Sequence, residues 1–235
     1  MKKLSTILFA ALFSVTVLAG GGENPPADSP VAIMMKVVKD VTLKKAEADW
    51  SSVKIGAALS TNDEIKTGSQ SLALIKFTDN SILRVRENSN LKIYADKNNK
   101  EISKNTYVDK GKVGFEVKRQ GNEEFKFTTP TMVASIRGTD GIIDVDGDGN
   151  TTFGLSSGSA TVEATQGNKG QGTVTSGFFV TVGNDGNISI QPVSNNPNVQ
   201  NSLNNNNNTS TTPQTKKLII KTNIGDIIIE YIGDY

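Results

Sequence analysis

The sequence predicts an all-β chain of short antiparallel strands and hairpins. Apolar residues recur with a period of two in run after run, as a strand with one buried face requires. The runs are short and are broken by Gly, Asn and Asp, the residues that turns favour. Beyond the first twenty residues no stretch keeps a helical period. Residues 41–50 (VTLKKAEADW) are a weak helical candidate and read equally well as a loop.

The first element is a targeting segment, residues 1–19. Lys2 and Lys3 supply a positive start, residues 4–19 are mostly apolar, and Ala19, Gly20, Gly21 and Gly22 follow as small residues. That order predicts a secretory signal peptide cleaved near Gly20. The apolar run falls short of the roughly 20 residues of a spanning helix. An uncleaved anchor is the alternative, and only then would the chain contact a membrane. Leu18-Ala19-Gly20 is the kind of run that precedes a lipidated cysteine, but Gly21 stands in the cysteine's place. The chain is thus a plain secreted or periplasmic protein, or a lipoprotein line that has lost its anchor. Residues 20–30, with Pro25, Pro26 and Pro30, predict a flexible leader.

Residues 31–193 carry the β pattern. Ala73, Ile75 and Phe77 share one face, and Leu72, Leu74 and Lys76 the other. Thr78-Asp79-Asn80-Ser81 is a turn, after which Leu83 and Val85 point inward and Arg84 and Arg86 outward, making a hairpin. Val113, Phe115 and Val117 alternate in the same way, as do Phe125 and Phe127, then Ala160, Val162 and Ala164, then Phe178, Val180 and Val182. Residues 194–215 change character: Asn204 to Asn208 is an asparagine run flanked by Ser, Thr, Gln and Pro. So little apolar area cannot offset ordering entropy, which predicts a disordered linker. Residues 216–235 predict a β-branched hairpin, marginal alone and expected to dock.

Composition excludes much chemistry. The 235 residues contain no cysteine and no histidine. There is no thiolate, no disulfide, no imidazole base and no serine triad of the usual kind. Removing residues 1–19 takes Lys2 and Lys3 away and moves the net charge from +1 to −1. A near-neutral surface argues against nucleic acid as partner. The 24 acids fall at turns, outside any recognisable catalytic frame, so an enzyme is not expected, nor a small-molecule substrate.

From Trp50 to Val193 the ordered segments resemble the FecR domain family. Residues 53–59 (VKIGAAL), with Gly56, and 63–68 (DEIKTG), with Asp63, Thr67 and Gly68, are similar to its opening. Residues 71–81 (SLALIKFTDNS), with Asp79 and Ser81, resemble its next strand and turn. Residues 129–139 (TPTMVASIRGT), with Thr129, Pro130, Arg137, Gly138 and Thr139, resemble its signature, and 158–162 and 177–182 its closing strands. Asn62 and Asn80 stand where glycine is usual, and asparagine tolerates positive φ. Gly141 replaces a usual apolar residue, a change expected to loosen the strand.

The resemblance implies a twisted, solenoid- or sandwich-like FecR-type domain used in the cell envelope for sensing or protein binding. The family's best-known members add a membrane helix and a cytoplasmic anti-sigma segment. Neither is read here, so the expectation is a signalling module that does not regulate a sigma factor directly. Its expected partner is an unidentified envelope or surface protein. A surface protein binding glycan or calcium is the alternative.

Three motifs carry competing explanations. Arg137-Gly138-Thr139 is either a recognition fork or a structural tie, the guanidinium holding carbonyls or a carboxylate such as Asp63 or Asp79. A buried tie would make Arg137→Ala cost on the order of 3 kcal/mol. Asp144, Asp146, Asp148 and Asn150 alternate like the start of a calcium loop, but Leu155 stands where the closing Glu belongs. The same residues make an ordinary hairpin turn, so no cofactor is expected and calcium is the exception to test. Trp50 is a packing anchor or a sugar platform.

Overall fold

The structure, a computed structural model, describes residues 30–46, 48–98, 101–119, 125–208, 215–222 and 225–232. The targeting segment and residues 20–29 of the leader lie outside them. In chain order the first strands are β1 (Ala32–Val38), β2 (Val41–Lys44), β3 (Trp50–Ser52), β4 (Ala58–Leu59), β5 (Glu64–Thr67) and β6 (Leu72–Phe77). Next come β7 (Ile82–Val85), β8 (Asn90–Asn98), β9 (Glu101–Glu116), β10 (Phe125–Thr128), β11 (Met132–Ile136) and β12 (Asp140–Val145). The body ends with β13 (Thr151–Ser157), β14 (Ser159–Ala164), β15 (Gln171–Thr175), β16 (Phe178–Val182) and β17 (Ile188–Pro192). A 3-10 turn (Val193–Asn195), one helix, α1 (Pro197–Asn208), and a hairpin of β18 (Thr215–Thr222) and β19 (Gly225–Ile232) follow.

The chain deals its strands to two ladders. The first runs β4–β1–β6–β7–β9–β12–β13–β16–β17. The second runs β3–β2–β5–β8–β9–β10–β11–β14–β15. These pairings are antiparallel except β9–β10, which is parallel. The long strand β9 joins the ladders, giving residues 101–110 to the second and 111–116 to the first. It turns at Gly111, whose φ is 91°. A Cβ there would lie 2.3 Å from Ser89 Oγ, so glycine is needed twice over. The result is one large mixed sheet that does not close into a barrel.

The period-two runs place one buried set between the ladders. Phe77, Phe115 and Phe153 of the first ladder meet Phe125 and Phe127 of the second. Phe115 lies 4.8 Å from Phe127 and 5.6 Å from Phe153, centroid to centroid. Phe77 meets Phe125 edge-on at 5.3 Å. Each such ring contributes about 1.5–3 kcal/mol by leaving water. Both substituted turns hold: Asn62 has φ 67° and Asn80 φ 68°. Residues 41–50, read as helix or loop, instead begin as strand β2 and reach β3 at Trp50.

The β12–β13 pairing shifts register between Asp140 and Gly141, and the glycine there has a packing role as well. A Cβ there would sit 2.2 Å from the Gly154 carbonyl oxygen and 2.7 Å from Phe115 Cζ. The Phe115 ring fills the space a side chain would take, so this glycine is a packing requirement.

The segment predicted to be a disordered linker is helical over Pro197–Asn208. Val199, Leu203 and Asn206 recur at i, i+4 and i+7 and are all buried. Val199 and Leu203 cluster with Ile142, Phe179 and Val193 on the outer side of the first ladder. Asn196 caps the helix, its Oδ1 accepting from the N–H of Asn198 at 3.1 Å and of Val199 at 3.3 Å. Pro197 follows at the first helical position, where its missing N–H costs nothing. Composition averaged over twenty residues hid a three-residue face and a cap.

The C-terminal hairpin forms as expected. Leu218 lies opposite Ile229 and Ile220 opposite Ile227, while Lys217 faces Glu230 and Lys221 faces Asp226 across the pair. Its turn residues 223–224 are outside the described residues.

Candidate functional site

The residues that carry the family motif build turns and strand ends. Gly56 has φ 85°, and its N–H donates to the Met34 carbonyl at 2.8 Å. Asp63 is buried; it accepts from Lys45 Nζ at 2.9 Å and from the Ser60 N–H at 2.8 Å. Thr67 Oγ1, also buried, accepts from the Ser89 N–H at 3.0 Å. Gly68 donates its N–H to Asp40 O, and a Cβ there would press on that aspartate's carboxylate at 2.8 Å. Asp79 Oδ1 closes its turn by accepting from the Ser81 N–H at 2.8 Å. Ser81 Oγ in turn accepts from the Lys118 N–H at 3.1 Å.

In the signature segment, Thr129 and Thr131 both join Thr151 through their hydroxyls, at 2.7 and 2.9 Å, in a buried chain. The Pro130 carbonyl accepts from Thr165 Oγ1 at 2.8 Å. Gly138 has φ 68°, with Arg119 Cβ 2.9 Å from where a side chain would begin. Thr139 is buried and its carbonyl accepts the Val117 N–H at 2.9 Å. Ser81, Val117 and Thr139 thus lie abreast where β7, β9 and β12 end or begin. The other motif residues are dispersed over separate turns.

Arg137 departs from expectation. Its side chain lies at the surface, and lysines hold the two carboxylates proposed for it: Lys45 holds Asp63 and Lys104 holds Asp79. Exposed ionic contacts are worth at most about 1 kcal/mol. Arg137→Ala is therefore expected to lower stability, read by urea denaturation, by that much or less, not by a buried tie's amount. A large midpoint loss would show that the guanidinium is structural after all.

Lys104 was not singled out in the sequence. It is 2 % exposed, and its Nζ lies 2.8 Å from Asp79 Oδ2. Arg84, expected to point to water, is also buried and reaches Glu116 at 3.4 Å. Glu116 is held below the usual carboxylate range, first by a hydrogen bond from Lys118. The same contact raises Lys118. Tyr107 is raised, mainly by burial.

The calcium-loop candidates do not converge. Asp144 pairs with Lys112 Nζ at 3.1 Å. Asp146 Oδ1 accepts from the N–H groups of Asp148 and Asn150, and its Oδ2 from Asn150 Nδ2, all at 2.9 Å. Asp148 is exposed at the tip. Among the described residues no group of three acidic or other ligating side chains could hold a metal ion. The turn consumes both Asp146 oxygens, and the hydrogen bond from Asn150 leads the effects that lower its pKa.

A depressed carboxylate stabilises the fold above its unfolded pKa, about 4, and loses that contribution as pH falls through the lower folded value. Asp146→Asn is expected to destabilise the chain at neutral pH and to match wild type at pH near 2, by urea denaturation at each pH. A gap that stays constant with pH would refute this. Trp50 is half-buried, with Lys66 Nζ 4.0 Å from its ring centroid, so that cation covers the face a sugar would need.

No helix among the described residues is long and apolar enough to cross a membrane. No curated protein matches the chain. Two crystal structures of "a putative anti-sigma factor" from Parabacteroides distasonis ATCC 8503 resemble it, each with TM-score 0.48 and 13 % identity. Each match covers 55 % of this chain and 59 % of the solved one. The family model described as FecR protein matches residues 63–161. That stretch, similar to the FecR family, runs from the buried Asp63 through the Asp79 turn, the threonine chain and Gly138 to β14.

Proposed function

We propose that the chain is a non-catalytic, extracytoplasmic FecR-like module that acts by protein contact in the cell envelope, for sensing or assembly. The observation that carries this is the FecR match over residues 63–161, in which the motif's buried polar groups serve turns and strand ends. A side chain used to hold a turn is not free to do chemistry on a substrate, and function then falls to the outer surface. The two ladders facing one core act as a sandwich-like body for such contacts. The partner is an envelope or surface protein, and direct sigma-factor control is not part of the role.

The test is capture of envelope proteins from the native host on the tagged mature chain, with calorimetry against calcium and envelope glycans in parallel. We expect one envelope protein to co-purify near stoichiometrically and to survive a calcium chelator. Calcium or glycan binding without any protein partner would instead establish a ligand-binding protein.

A further inference from the structure

β17 is the last strand of the first ladder, and no other strand among the described residues pairs with its far side. One bond fixes the direction of its main-chain groups: the Val193 N–H donates to the Gly177 carbonyl at 2.8 Å. That bond flanks the Phe178–Pro192 pair, which is therefore a pair without mutual hydrogen bonds. Alternation along the register gives Ser189 and Gln191 the bonds to Thr181 and Phe179 of β16. Ile188 and Ile190 turn both their N–H and their C=O groups away from β16, off the edge of the ladder, where nothing among the described residues meets them.

The side chains of the same two residues point inward. Ile190 lies opposite the buried Val180. Its Cδ1 would be 2.8 Å from a Cβ at Gly172 of β15, and Ile188 Cγ1 would be 3.2 Å from one at Gly170. The two isoleucines cap the core at the end of the ladders, and the glycines leave them room. The cap is incomplete: Ile190 is 40 % exposed, and Phe178, on the same face of β16, is 39 % exposed. Edge strands are ordinarily guarded by lysine, an inward charge, a bulge or proline. Residues 187–193 (NISIQPV) carry no charge and the β16–β17 register is continuous, so the only guard is Pro192, at the strand's last position.

This edge is complementary to itself. A two-fold axis through Ser189 places Ile188 opposite Ile190 of a second copy, and Ile190 opposite Ile188 of that copy. Each such pair exchanges both of its hydrogen bonds, so every outward N–H and C=O of the two isoleucines is met. The isoleucines of the two copies then stand side by side, about 5.5 Å apart between Cα atoms, and complete the cap of both cores. The neighbouring registers are poorer. One puts Pro192, which has no N–H, opposite Ile188. The other puts Ile190 opposite Gly186, whose N–H already donates to the Gly183 carbonyl. A contact of this kind closes at two copies and leaves neither edge open. The net charge of +1 sets up little repulsion between copies.

We propose that the chain forms a two-fold dimer by antiparallel pairing of β17 with β17 of a second copy, centred on Ser189. The first ladder then continues across both molecules. The dimer goes beyond the envelope-contact role and does not rest on it, since capture of an envelope protein neither requires nor forbids a second copy.

Sedimentation equilibrium of the mature chain is expected to show a monomer–dimer equilibrium. Ile190→Pro removes an outward N–H and keeps every β16–β17 hydrogen bond, a change that an edge position tolerates. It deletes a hydrogen bond on each side of the axis and should weaken association about tenfold or more, with circular dichroism unchanged. Ser189 is exposed and lies on the axis. Ser189→Lys and Ser189→Glu each set like charges face to face and should dissociate the dimer, and an equal mixture of the two should restore it. The chain has no cysteine, so Ser189→Cys should oxidise to one disulfide-linked dimer, the facing Cα atoms being about 4.5 Å apart. A monomer at every concentration would overturn the proposal and leave the edge to a strand from another protein. A dimer that survives both Ile190→Pro and Ser189→Lys unchanged would overturn it too, by placing the contact elsewhere.

Discussion

Lys104→Met is expected to lower stability by roughly 3–5 kcal/mol, the loss typical of breaking a buried ion pair. The lysine is 2 % exposed and its partner Asp79 has a side chain 7 % exposed, with 2.8 Å between them. Removing the ammonium leaves a carboxylate in a site with almost no water. That carboxylate cannot simply be withdrawn, because Asp79 Oδ1 also accepts the Ser81 N–H that closes the turn. Adding Asp79→Asn should restore most of the loss. The amide keeps an oxygen for the turn and carries no charge. Urea denaturation of wild type, single and double variants decides the matter. A single variant within about 1 kcal/mol of wild type would mean that water reaches the pair.

Phe115→Ala is expected to cost about 3–5 kcal/mol, as large-to-small changes at filled aromatic sites do. Phe115 is fully buried and stands between Phe127 of the second ladder and Phe153 of the first. Its ring also fills the space above Gly141, where the backbone of Gly154 prevents a side chain from growing in. The cavity therefore has no neighbour able to collapse into it. Phe115→Leu should recover about half of the loss by refilling part of the volume. Equal midpoints for wild type and the alanine variant would show a site far looser than the ring spacings imply.

Sequence legibility followed the range of the interaction. The turns at Asn62 and Asn80 were readable because positive φ is a property of one residue and its neighbours. The strands were readable because one buried face imposes alternation on five or six residues. α1 was within reach and was lost. Asn196-Pro197 is a cap followed by a first-turn proline, and Val199, Leu203 and Asn206 mark one face. Averaging composition over the asparagine-rich stretch concealed both.

The family resemblance, found in ordered segments rather than in any one motif, held over residues 63–161. The roles given to individual motif residues held less well. Asp63 and Asp79 are structural, as a carboxylate in a turn suggests, and lysines not singled out beforehand hold them, Lys45 and Lys104. Gly141 looked like a weakness because a missing side chain is visible in a sequence and the ring that replaces it is not.

By itself the sequence determined the β character, the turn positions, the absence of thiol and imidazole chemistry and the resemblance to the FecR family. Each depends on residue type or on spacing over a few positions. Tertiary structure alone decided which lysine neutralises Asp79, 25 residues away, and that Arg84 is buried while Arg137 lies at the surface. It also decided that a polar, asparagine-rich segment folds as a helix against Gly114 and Gly154. Those outcomes depend on the register of β9 against its neighbours and on which side of a ladder is covered. Both are set by where distant strands pair, a property of the whole chain that no local pattern encodes.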